Sequence, residues 1–123
     1  RWAVLRARLG SAADRTHEVY PAAALAAWGM QHRDYKKKNQ GECRSSILGQ
    51  LQATLTLDVD SQNAEWITNH HDALDALVAA IVARAAELGR VRACPPEMNA
   101  EARIEGWIQL PGGSLADLRA AEF

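Results

Sequence analysis

His70-His71-Asp72-Ala73-Leu74-Asp75-Ala76-Leu77-Val78-Ala79-Ala80-Ile81-Val82-Ala83-Arg84-Ala85-Ala86-Glu87-Leu88 is the longest stretch of helical periodicity in this chain. At 100° per residue it gathers Leu74, Leu77, Val78, Ile81, Val82 and Leu88 on one broad apolar face, which predicts core. The adjoining flank carries Asp72 and Asp75 and continues through Ala76, Ala79, Ala83 and Ala86, where an exposed helix normally displays Lys and Glu. Small side chains there let another layer approach closely. Thr68 or Asn69 is expected to cap the helix and Gly89 to end it.

Upstream, Trp2, Leu5 and Leu9 recur at helical spacing before Gly10, which predicts a short helix, and Ser11–Arg15 reads as a connector. Thr16–Tyr20 reads as a strand that stops where Pro21 opens a helix over Pro21–Trp28. The polar stretch Gln31–Arg44, with Lys36-Lys37-Lys38, reads as an exposed loop. Ser45 or Ser46 can cap the next helix, in which Ile47, Leu48, Leu51 and Leu55 form one apolar stripe. Asp58–Asn63 is read as a turn. Downstream, Ile104, Gly106, Ile108 and Leu110 alternate with polar or aromatic neighbours, the period of a strand, and Leu115–Ala121 predicts a last helical turn or two.

The expected fold is therefore α/β and helix-dominated, with four or five helices and short strands in one domain over residues 1–123. Two short strands do not make a stable sheet alone. Together with Arg1 in place of an initiating Met, this leads us to expect the C-terminal part of a larger domain, with its N-terminal half or a second copy of the chain as partner.

Apolar residues make up 48% and charged residues 24%, a globular composition with no run able to span a bilayer, so a soluble cytoplasmic chain with no membrane partner is expected. A net charge of −1 gives no overall attraction to phosphate backbones, so any nucleic-acid contact must be local. Cys43 and Cys94 stand apart, outside any zinc-ligand spacing, and are read as reduced thiols.

Chemistry concentrates at the start of the long helix. Asp72 and Asp75, three residues apart, share one side of a single turn and can offer oxygens to a hard divalent cation. Glu18, at the end of the Thr16–Tyr20 strand, is the best candidate for a further metal-ligating and catalytic acid, and His71 can orient a water or a carboxylate. Against this stands the bland alternative that acids in a first helical turn are stabilised by ~0.3–1 kcal/mol through the helix dipole with no function at all. His70-His71 would need further ligands to hold zinc. Lys36, Lys37 and Lys38, with Tyr35 interleaved, can grip a phosphate backbone or simply be solvated surface. Trp28, Trp66 and Trp107 can stack bases or pack as core.

Four blocks in order resemble an uncharacterised family of predicted RNase H-like nucleases from bacteria and archaea: Glu18-Val19-Tyr20-Pro21-Ala22-Ala23-Ala24-Leu25; Tyr35-Lys36 followed by Arg44 and the Ile47-Leu48 helix; His71-Asp72-Ala73-Leu74-Asp75-Ala76-Leu77; and Glu105-Gly106-Trp107-Ile108. The resemblance implies the C-terminal half of an RNase H-like fold. It also implies divalent-metal-dependent phosphodiester hydrolysis with magnesium or manganese, using Glu18, Asp72 and Asp75 as catalytic metal ligands and His71 beside them. Tyr35, Lys36 and Arg44 would be accessory residues near a nucleic-acid substrate. The superfamily's first strand, with its glycine-flanked Asp, has no counterpart here, so this stretch by itself is expected to be inactive. Two other functions compete: a non-enzymatic helical interaction or oligomerisation module, and a metal-dependent hydrolase of a small phosphorylated substrate.

Overall fold

Burial follows the two apolar stripes. The computed structural model of the protein describes residues 2–119. Helix α3 (Gly41–Leu55) buries Ile47, Leu48, Leu51 and Leu55, and helix α5 (His71–Glu87) buries Leu74, Val78, Ile81, Val82 and Ala85. Each large aliphatic side chain so removed from water contributes roughly 1.5–3 kcal/mol before entropy is charged against it. Helix α2 (Pro21–Ala27) lays Ala24 and Leu25 against α5, and helix α4 (Ser61–Asn69) packs between α3 and α5 through Ile67. Met30, Tyr35, Leu115 and Leu118 complete the same cluster.

The described chain also contains helix α1 (Trp2–Leu9), helix α6 (Asn99–Glu105) and a two-stranded parallel sheet of β1 (Glu18–Val19) and β2 (Ile108–Gln109). Glu18 pairs with Ile108 and Val19 with Gln109. Parallel strands need a long crossover, and here α2 through α6 provide it. The architecture is thus α/β and helix-dominated, with six α-helices among the described residues. No described helix is long and apolar enough to cross a membrane.

Several boundaries differ from expectation for identifiable reasons. Ser11–Arg15, read as a connector, belongs to a 3₁₀ segment over Gly10–Arg15. The Thr16–Tyr20 strand shrinks to its two paired residues. Helix α3 begins at Gly41, ahead of Ser45 and Ser46, with no capping side chain, and Arg44 in its first turn ties it to the carbonyls of Tyr35, Lys37 and Thr68. The Asp58–Asn63 turn ends at Asp60, whose Oδ1 accepts from the Asn63 amide at 2.8 Å and starts α4. Helix α4 buries only Ile67 fully. Thr68 and Asn69 finish α4, so α5 is preceded by His70, in extended conformation. Leu88 falls beyond the last turn and is 47% exposed. The alternation from Ile104 to Leu110 is divided: Ile104 ends in helix α6, Gly106 turns the chain at φ 97°, and only Ile108–Gln109 are strand. Of the expected Leu115–Ala121 turn, Leu115–Leu118 is 3₁₀, while Ala120 and Ala121 lie outside the described residues.

Candidate metal and phosphate site

The start of α5 is an uncapped helix end. His70 offers its carbonyl to the amides of Ala73 and Leu74, but its side chain caps nothing. Among the described residues the amides of His71 and Asp72 have no protein acceptor, as the first turn of any helix leaves them. The His70 ring instead packs against Trp66, tilted by 35° with centroids 4.0 Å apart, and Trp66 is 59% exposed.

His71, Asp72 and Asp75 come together there. One ligand atom from each lies within 4.8 Å of the others. Asp72 extends into solvent, whereas the Asp75 side chain is only 17% exposed. Nδ1 of His71 is buried, has no hydrogen-bond partner, and sits 3.1 Å from Oδ1 of Asp72.

The loop before α3 closes over Asp75. Tyr35 is buried and its hydroxyl donates to Asp75 Oδ1 at 2.6 Å, while Lys36 Nζ donates to Oδ2 at 2.5 Å. Burial first, and the Asp75 carboxylate second, push the Tyr35 phenol well above its ordinary range, so it remains a donor. Lys36 also lies 5.7 Å from the centroid of the Tyr35 ring. Asp34, at φ 64°, turns the loop, and Lys37 at 2.7 Å holds its carboxyl below the usual range.

Arg44 ties this loop to the helices. It is 2% exposed, and its Nε donates to the Thr68 carbonyl while Nη1 donates to those of Tyr35 and Lys37. No acid pairs with it among the described residues. Beside it opens a cavity of about 280 Å³ lined by Lys36, Lys38, Arg44, Asn69, His70, His71 and Asp72.

Measured against the sequence reading, Asp72, Asp75 and His71 converge. Glu18 stays on β1, with its carboxylate beside Gly106 and the Trp2 ring, and is not in the cluster. The β1–β2 pairing directs it toward α1 and α6. Tyr35 and Arg44, expected near substrate, are buried: the first braces Asp75 and the second braces the loop backbone. Lys38 faces the cavity, while Lys37 is spent on Asp34. Asn69 and His70 were not anticipated as lining residues; the only sequence signal was the polar Asn69-His70-His71 run at a helix start.

A family described as "Protein of unknown function (DUF429)" matches residues 2–100. No curated protein and no solved structure matches the chain.

Proposed function

The chain belongs to the DUF429 family, and from that premise and the α5 N-terminus we propose a divalent-metal-dependent phosphodiesterase acting on nucleic acid, of the RNase H-like superfamily. The single observation carrying the proposal is the His71, Asp72 and Asp75 group, whose ligand atoms lie within 4.8 Å of one another. Two donors on one magnesium-sized cation lie at most about twice its ~2.1 Å bond length apart, roughly 4.2 Å, a distance the exposed Asp72 can close by a small side-chain rotation. The buried Nδ1 of His71, without a hydrogen-bond partner beside an Asp72 oxygen, fits such an ion. Two carboxylates and one imidazole suit magnesium or manganese, and the nitrogen favours manganese of the two. A bound ion would supply Lewis acidity and a more acidic water.

The chain's own groups have separate tasks. Tyr35 and Lys36 fix the Asp75 carboxylate from two directions, so its oxygens are oriented before any ligand arrives. Asp72, free in solvent, can swing to meet an incoming group. Trp66, exposed and packed at a tilt against His70, which lines the cavity, supports a nucleic-acid substrate over a small phosphorylated one, because it offers a flat face to a base.

Calorimetric titration of the chain with manganese should show saturable binding. Asp75→Asn should weaken it at least about tenfold, the lower end of what even outer-shell substitutions cost. In a protein that also carries the superfamily's glycine-flanked first-strand Asp, the same substitution should abolish manganese-dependent cleavage of a labelled oligonucleotide with the far-ultraviolet circular dichroism unchanged. Manganese binding and cleavage that survive Asp75→Asn intact would remove the proposal.

A further inference from the structure

We propose that the cavity between Arg44 and the start of α5 is a phosphate-binding site that shares its His71 and Asp72 wall with the cation ligands. Arg44 carries the argument. A guanidinium cannot be deprotonated to escape burial, and taking its charge out of water costs several kcal/mol unless an opposite charge accompanies it. Arg44 is 98% buried by the complement of its 2% exposure, yet its bonds go to three neutral carbonyls and to no carboxylate. Its remaining nitrogen, Nη2, has no acceptor among the described residues, and the residue lines the cavity.

The other walls have the same sign. Lys38 is exposed on the lining and forms no ion pair among the described residues. The amides of His71 and Asp72 open the 17-residue helix α5, whose dipole places positive potential at that end. Asn69 adds an amide donor. Asp72 is the single acid on the lining, and its side chain is 91% exposed, so it can turn away toward a cation. A dianion the size of phosphate supplies the counter-charge that Arg44 lacks, together with acceptors for the free amides.

Assigning this oxyanion to a nucleic-acid backbone rests on the nuclease reading; affinity for phosphate itself does not. The test is a titration of the ¹⁵N-labelled chain with inorganic phosphate, without metal and at constant ionic strength. Saturable shifts of the His71 and Asp72 amides are expected. Lys38→Ala should weaken binding about threefold to tenfold, the range for one charged contact at a partly solvated site. Arg90→Ala, which removes the same charge beyond the opposite end of α5, should leave the affinity unchanged. Arg44→Gln should abolish binding, but Lys38→Ala decides the matter if that variant fails to fold.

No saturable shift at these amides, or equal weakening by Lys38→Ala and Arg90→Ala, would overturn the site. A short single-stranded oligonucleotide that shifts the same amides and competes with phosphate would identify a backbone phosphate as the source; its failure to compete would leave free phosphate as the ligand. Phosphate binding that persists while manganese binding is absent would sink the nuclease reading alone. The reverse result would sink this inference alone.

Discussion

At the scale of single residues, Asp75 is contested. Tyr35 holds Oδ1 and Lys36 holds Oδ2, so a cation arriving at either oxygen has to share it with a donor or displace one, and the exposed ammonium is the donor that repels it. Lys36→Ala should therefore tighten manganese binding, by up to about fivefold if the pair contributes up to ~1 kcal/mol; calorimetric affinity that stays the same or falls would show that Lys36 does not obstruct the ligand. Tyr35 gives a pH signature. Its folded-state value lies above the unfolded value of about 10. The stability it contributes is complete below the unfolded value and is lost as pH rises through the folded one. Tyr35→Phe should cost about 1–2 kcal/mol near neutrality by removing a bond to a charged acceptor. It should also flatten the alkaline decline of Tm above pH of about 10. Parallel alkaline limbs in the two proteins would exclude Tyr35 as the titrating group. Gly106 shows the opposite kind of constraint: a Cβ there would collide with the Trp2 ring and the Glu18 carboxylate, and φ is 97° besides.

For the elements, α5 serves two purposes that pull apart. Its middle is core, and Leu74→Ala, at a fully buried site, should cost about 2–5 kcal/mol in urea unfolding. Leu88→Ala, beyond the helix end and exposed, should change stability by less than about 0.5 kcal/mol. Comparable losses from both would place the apolar face wrongly. Its first turn gives up stability instead, because His70 is a poor cap and the next two amides have no acceptor. His70→Asp should supply the missing acceptor and stabilise the protein by about 1 kcal/mol, while weakening phosphate binding by placing a carboxylate against the same amides. Thermal melts and phosphate titration of that one variant measure both effects. Stabilisation without loss of phosphate affinity would separate the helix end from the cavity.

Over the whole molecule, metal and phosphate should both raise Tm by mass action, since the unfolded chain does not hold His71, Asp72, Asp75, Arg44 and Lys38 together. At a hundredfold excess over the dissociation constant, manganese should add about 2.7 kcal/mol, and Asp75→Asn should cut that gain to about 1.4 kcal/mol or less. A melting temperature indifferent to manganese, with concentration-dependent association in its place, would instead favour the helical interaction module. The long-range geometry behind these expectations is legible in the sequence only in part. Apolar spacing alone determined that α3 and α5 exist and which faces they bury, because a helix repeats every 3.6 residues and that period is written locally. The i,i+3 spacing likewise put Asp72 and Asp75 on one turn. Spacing along the chain could not tell that Tyr35 and Lys36 would reach Asp75 from forty residues away, that Arg44 would turn inward to hold carbonyls, or that Glu18 would be drawn to β2. Those outcomes depend on which helices pack together and on how the buried polar groups between them find partners, and only the folded chain decides that.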